Sequence, residues 1–195
     1  MLISQSFVID QPVDAVWAFF DDIPQVAACI PGANLTNKVA EDSFQGDVVV
    51  SAGPVKLEFA GTAIVKSRDN DKKILVLDAN GADKKGRGAA QALLTAGLKQ
   101  TGGGTNVDLS LDLQISGAAA QYGRGLVADV TAVLVKQAAS NMQARMTAIS
   151  KGLDPNSVVG AKAASGLSIG LNAAKRAIGR VLARFFLPYT PEPRR

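Results

Sequence analysis

Val107-Asp108-Leu109-Ser110-Leu111-Asp112-Leu113-Gln114-Ile115, followed at once by the proline-free run Gly117–Lys151, decides the fold of this 195-residue chain. In the first stretch, apolar residues take every odd position and polar residues lie between them. A period of two belongs to an antiparallel strand with one face buried and one in water. In the second, Leu126, Val130, Val133 and Leu134 fall on one face, Ala and Met residues widen it, and helix formers dominate after Gly125. The period there is that of a helix. A long helix laid against a curved antiparallel sheet naturally encloses a space between the two.

Upstream of this pair the period of two recurs. Asn34–Ala40, Ser43–Ala52, Val55–Arg68, Lys73–Ala82 and Gly88–Gln100 read as strands, with Thr105–Ser116 as the sixth of the block. Glu41-Asp42, Gly53-Pro54, Asp69-Asn70-Asp71 and Gly102-Gly103-Gly104 supply the turns. Residues 88–98, rich in Ala and Leu, suit a helix equally by propensity; the hairpin turns on either side favour a strand. Residues 2–9 form a further strand. Two short helices follow it, one opened by Gln11-Pro12-Val13-Asp14 with Val13, Val16, Trp17 and Phe20 at helical spacing, the other over Pro24–Ile30. Strands in a block with one long C-terminal helix predict an α+β fold with an antiparallel sheet, not alternating βαβ units.

Charge divides the chain unevenly. Residues 1–150 hold thirteen Lys/Arg and fifteen Asp/Glu, whereas residues 151–195 hold eight basic and two acidic side chains. The net +4 of the protein therefore comes from its last segment. Within it Arg176, Arg180 and Arg184 recur every fourth residue and share one helical stripe. Leu171, Ala174, Ile178, Val181, Leu182 and Phe185 fall opposite. The sequence predicts a domain over 1–151 and a flexible linker over 152–167, then a basic amphipathic helix over 168–187 and a disordered Pro/Arg tail over 188–195. The helix suits an anionic membrane surface, with Lys175, Arg176, Ile178, Arg180, Val181, Leu182, Arg184, Phe185 and Phe186 as its contacts. Packing on its own domain, or in a partner's groove, uses the same pattern.

Composition also excludes chemistry. The chain has no histidine and a single cysteine, Cys29. No Ser-His or Cys-His nucleophile system can be built, and the usual zinc ligand sets are missing. No catalytic residue and no metal site is expected. Cys29 reads as a small buried hydrophobe. The N-terminus lacks a basic n-region with an apolar run, which argues against a signal peptide. A reducing cytoplasmic setting, peripheral on the inner face of the membrane, follows as an expectation. Lys84-Lys85-Gly86-Arg87 is a basic loop open to headgroups, a partner or solvent. It lacks the interleaved aromatics that nucleic-acid binding favours, so nucleic acid is not an expected partner. Gly102-Gly103-Gly104 is a hairpin turn, since no P-loop Lys-Ser/Thr follows.

Several strings, taken in order, carry a family resemblance. They are Phe7-Val8-Ile9 with Pro12-Val13-Asp14-Ala15-Val16-Trp17, Asp22, and Val26-Ala27-Ala28-Cys29-Ile30-Pro31-Gly32-Ala33. Next come Gly46 with Val48-Val49-Val50, Gly53-Pro54, and Phe59-Ala60-Gly61. The last are Gly81-Ala82-Asp83 with Gly86, Gly104-Thr105-Asn106-Val107, and Gly117-Ala118-Ala119-Ala120 leading into Gly123-Arg124. Over residues 2–150 the chain resembles the carbon monoxide dehydrogenase G-subunit family, of the START-like (SRPBCC) helix-grip superfamily. The resemblance implies a curved seven-stranded antiparallel sheet around a long C-terminal helix, two short helices after strand 1, and an apolar cavity. It implies a non-enzymatic accessory role beside a molybdenum-containing carbon monoxide dehydrogenase, in maturation or in recruitment to the membrane. A container next to an enzyme whose electrons must reach the respiratory chain suggests a bound quinone, menaquinone or ubiquinone, or another apolar lipid, and no covalent cofactor. The alternative is a recruitment or assembly factor that carries no ligand. The residues expected around the ligand are Trp17, Phe20, Ile30, Tyr122, Leu126, Val130, Val133 and Leu134, although core packing is the commoner use of Trp17, Phe20 and Ile30. Gln137 and Asn141 lie near that face and offer hydrogen bonds to a carbonyl.

Overall fold

The computed structural model describes residues 1–52 and 55–157. Strand β1 (Leu2–Ile9) is followed by α1 (Val13–Asp21) and α2 (Ile23–Cys29). Six strands come next: β2 (Ala33–Ala40), β3 (Ser43–Ala52), β4 (Val55–Asp69), β5 (Ile74–Asp83), β6 (Ala89–Thr101) and β7 (Gly104–Ile115). A 3₁₀ turn at Gly117–Tyr122 leads into α3 (Gly123–Ser150), and a second 3₁₀ turn covers Pro155–Ser157. The strands form one seven-stranded antiparallel sheet in the order β1-β7-β6-β5-β4-β3-β2. This is the helix-grip arrangement the sequence predicts. The doubtful stretch 88–98 is a strand, paired along its length with β5 and β7. Its Ala and Leu residues have helical propensity, but two neighbours satisfying its backbone outweigh a propensity of tenths of a kcal/mol per residue.

The helices start and stop for local reasons. Pro12 precedes the first turn of α1, where a missing N–H costs nothing. The Asp22 carboxylate accepts a hydrogen bond from Gln25 N at 3.2 Å and so caps α2. Asp21 instead pairs with Arg68 on β4. Asp21 and Asp22 thus serve packing and the turn. The long helix begins at Gly123, later than the Gly117 start its sequence suggests. Gly117 and Gly123 both have φ above +70°, a conformation that interrupts a right-handed helix and favours glycine.

The core sits at one end of the sheet. Ile9, Val16, Trp17, Phe19, Phe20 and Ile23 pack with Val65, Leu75, Leu98 and Val107 of the sheet and with Met142 and Met146 of α3. Trp17 Nε1 donates to Asn70 Oδ1 at 3.0 Å, which satisfies the indole at the rim of this core. Asn141 Nδ2 donates to the Cys29 carbonyl at 2.9 Å, and Gln143 Oε1 accepts from Asp10 N at 2.8 Å. The second half of α3 is therefore fastened to α2 and to the end of β1. Cys29 is fully buried, and burial pushes its thiol up to about 11, against the opposing charge of Arg145. An inert structural cysteine is the result.

The chain stays docked beyond the end of α3, further than the 151/152 boundary predicts. Gly152 N and Leu153 N donate back to Ile149 O and Ala148 O at 3.0 and 2.9 Å. Arg145, only 3% exposed, donates to Gln25 Oε1 at 3.1 Å and to Asn156 Oδ1 at 2.6 Å. The guanidinium holds Pro155–Ser157 against α2. Residues 152–157 thus belong to the folded domain. The remaining linker, the basic helix predicted over 168–187 with its contacts from Lys175 to Phe186, and the Pro/Arg tail lie outside the described residues.

Candidate functional site: an apolar cavity under the first half of the long helix

Strand register shows why a cavity forms at the other end. One row of concave-face residues runs Leu35, Gly46, Gly61, Gly81, Ala90, Ile115 across β2 to β7. The next concave row reads Phe44, Ala63, Ala79, Ala92, Leu113. The row after that reads Val65, Leu77, Leu94, Leu111, Ile3. Down the sheet the central side chains grow from hydrogen to methyl to isobutyl. Where they are large they meet the second half of α3 and fill the interior. Where they are Gly and Ala they leave a cavity of about 360 Å³ beneath the helix's first half. That volume lies within the range of about 300–1,000 Å³ common for small-molecule pockets.

Gly61 has a second task. A Cβ placed there would run into the Asn80 carbonyl oxygen and sit 2.6 Å from the Gly81 Cα on the neighbouring strand. The two strands approach too closely there for any side chain. Glycine in mid-strand is how a sheet bends sharply, and the Gly46–Gly61–Gly81 row crosses the sheet where it wraps the helix.

The wall is apolar almost throughout. From the helix come Leu126, Val127, Val130, Thr131 and Leu134; from the sheet come Phe44, Val48, Val50, Leu57 and Phe59 besides the small residues; Ala119 and Tyr122 of the 3₁₀ turn border the near end. Thr131 spends its hydroxyl proton on Val127 O at 2.8 Å, within its own helix. Asn34, Asp47, Thr62 and Asn80 also border the cavity, but they alternate with the inward residues along their strands. Their side chains therefore project from the convex face. There Thr62 bonds Asn80, and Asp47 pairs with Lys84 at 2.8 Å.

Of the eight residues expected at the ligand, the structure brings Tyr122, Leu126, Val130 and Leu134 to the cavity wall. Trp17 and Phe20 are in the filled core, because α1 lies over β6 and β7 at the opposite end. Ile30, at the C-terminal cap of α2, does not reach the cavity either. Val133 is about 90° from the middle of the lining stripe at 3.6 residues per turn, and Val127 takes its place. Asn141 is committed to the Cys29 carbonyl, and Gln137 is not part of the wall. The sheet's contribution escaped the sequence reading. Its signal was present in the alternating small residues 61/63, 79/81 and 90/92, whose meaning appears only when register aligns them.

The basic loop at 84–87 is a clasp at the cavity's near end. Lys84 is tied to Asp47 and Glu58, each at 2.8 Å. Asp83, with its side chain enclosed, receives both Arg87 Nε and an Arg87 terminal nitrogen at 2.8 Å, plus the backbone N–H groups of Glu58, Lys85 and Arg87. Hydrogen bonds from Arg87 hold the Asp83 carboxyl well below the usual carboxylate range. Arg87 O in turn accepts from Ala118 N at 2.7 Å, so the clasp anchors the 3₁₀ turn that borders the cavity. Two of the loop's three cations are thus spent internally rather than offered to a headgroup. A carboxylate with a lowered folded-state pKa stabilises the protein above its unfolded value, about 3.9, and loses that contribution as pH falls below it. Asp83→Asn is therefore expected to lower the melting temperature at pH 7 and to flatten its decline between about pH 4 and pH 2, read by calorimetry across that range.

Among the described residues no cluster of His, Cys, Asp or Glu could hold a metal ion, and no helix is long and apolar enough to cross a membrane.

Comparison with known proteins agrees with this architecture. A conserved protein from Geobacillus kaustophilus superposes with a TM-score of 0.68 at 19% identity, covering 75% of this chain and 95% of that one. A protein from Thermus thermophilus gives 0.52 at 14% identity over 77% and 99% of the two chains. One from Mycobacterium smegmatis gives 0.52 at 16% over 76% and 92%. At such identities these likenesses establish the fold. No curated protein matches the sequence. The model of one family, CoxG, the G subunit of carbon monoxide dehydrogenase, matches residues 6–147, which span every strand but the start of β1 and nearly all of α3. The chain belongs to this carbon monoxide dehydrogenase G-subunit (CoxG) family.

Proposed function

We propose that this protein is a non-enzymatic carrier serving a molybdenum-containing carbon monoxide dehydrogenase. It would hold a respiratory quinone, menaquinone or ubiquinone, in its apolar cavity, with the basic C-terminal segment keeping it on the anionic inner face of the membrane. The observation that carries this reading is the graded concave face, which leaves an apolar void where an ordinary core would place Leu and Phe. A void of this size forfeits packing energy unless something fills it. Its wall has no carboxylate, amine or thiol aimed inward, which suits cargo better than chemistry. Family membership supplies the enzyme partner. Carbon monoxide and water give carbon dioxide, two protons and two electrons; a quinone takes up both and leaves as quinol.

The test is extraction. Full-length protein purified from membranes, extracted with organic solvent and analysed by mass spectrometry, is expected to yield stoichiometric quinone. Protein that yields neither quinone nor lipid contradicts the carrier and leaves the recruitment role alone. Removal of residues 168–195 is expected to shift the protein from the membrane to the soluble fraction with its melting temperature unchanged. High salt should weaken attachment of the intact chain, since charge on the tail supplies part of the binding.

A further inference from the structure

We infer that the cargo enters tail first, and that Tyr122 is the residue that holds its polar ring at the cavity mouth. This rests on the quinone-carrier reading above.

A quinone ring brings two carbonyl acceptors, and an isoprenoid tail brings none. The interior offers those carbonyls no donor. Its side chains are hydrocarbon except for Thr131, whose hydroxyl proton goes to Val127 O. The backbone N–H groups of the wall in β3 to β7 are taken up by the strand ladders, and those of α3 by the helix. A carbonyl buried without a partner loses its hydrogen bonds to water and gains nothing in return. An isoprenoid chain meets no such penalty in the same space.

The mouth is different. Tyr122 is the last residue of the 3₁₀ turn and borders the cavity while 38% exposed. Its hydroxyl has no hydrogen-bond partner among the described residues. The Arg87 guanidinium on the adjoining loop is paired with Asp83. A phenol O–H with no partner among the described residues is therefore placed at the cavity wall where it meets the surface. The two turns carrying these groups are joined by the bond from Ala118 N to Arg87 O. Held this way, the ring stays at the surface, where an enzyme can reduce it without the tail leaving the cavity.

The experiment uses the full-length protein loaded with menaquinone bearing a short isoprenoid tail, and the Tyr122→Phe variant, whose exposed position leaves the core untouched. Carbonyl stretching is read by infrared difference spectroscopy, ring accessibility by reduction with aqueous borohydride, and affinity by competition with tail-less menadione and with squalene. In the wild type one carbonyl band is expected to be shifted down by hydrogen bonding, and borohydride should reduce the bound ring. Squalene should compete and menadione should not. Tyr122→Phe should lose the band shift and weaken binding by only about 2- to 10-fold, the value of one hydrogen bond. A band shift unchanged in Tyr122→Phe, or a bound ring protected from borohydride, places the ring inside and overturns the inference while leaving the carrier intact. Failure of the wild type to bind both menaquinone and squalene removes the carrier reading itself, and this inference with it.

Discussion

Replacing Gly61 by alanine is expected to destabilise the domain by about 3 kcal/mol or more, the upper range for forcing atoms into a packed site. For a protein of this size that corresponds to a melting temperature lower by roughly 10 °C. The added methyl meets the Asn80 carbonyl and the Gly81 Cα, both backbone, so no rotamer change can relieve it. Either β4 and β5 separate or the sheet flattens, and both disturb the pairing of Gly61 with Gly46 and Gly81. Gly97→Ala is the control. That glycine also lies in a strand, but a methyl there meets nothing within 4 Å. It should leave stability unchanged or raise it by up to about 1 kcal/mol, through reduced freedom of the unfolded chain. Thermal unfolding of the two variants separates a requirement of the bend from a general cost of strand substitutions.

Side-chain truncation is expected to divide the protein into two ends. Phe20→Ala and Met146→Ala, in the filled core, should each cost about 2–5 kcal/mol, because each opens a cavity in a close-packed interior. Leu126→Ala removes as many side-chain atoms as Met146→Ala, yet it should cost only about 1 kcal/mol or less in the ligand-free protein. Its side chain already faces the void, so it has fewer contacts to lose. Denaturant midpoints with unchanged slopes report both values. In protein carrying its cargo the Leu126 variant should become more costly, since bound ligand restores the missing contacts and stabilises the folded state.

The order of elements was legible because period carries it. The alternation at 107–115 and the shift to helical spacing after 117 required only the sequence. The cavity was half legible. Helix spacing found Leu126, Val130 and Leu134, but it added Val133, because a stripe read on one face has no fixed centre until a partner surface is known. Trp17 and Phe20 are large and apolar, and nothing in the sequence says which end of the sheet α1 covers. The small residues of β3 to β6 were visible in the sequence, several of them as family markers. Their significance lies across strands, in a register set by loops and bulges, and a single chain read in order does not display it. The ion-pair partners of the basic loop at 84–87 were hidden for a related reason: Asp47, Glu58 and Asp83, which pair with Lys84 and Arg87, come from three strands.

Container and location together make the proposed function. The first half of α3 roofs the void, its second half clamps the core, and Arg145 docks the start of the segment that leads to the basic tail. The proposed quinone resides in the void between the small-residue strands and α3. The most direct measurement of that placement is the quinone content of full-length protein carrying Ala79→Leu and Ala92→Leu, paired concave-face residues on adjacent strands. The variant is expected to fold and still to be recovered with membranes, with less than about a tenth of the wild-type quinone in its extract, the loss set by apolar volume already occupied. Wild-type quinone content in that folded, filled variant would contradict the placement.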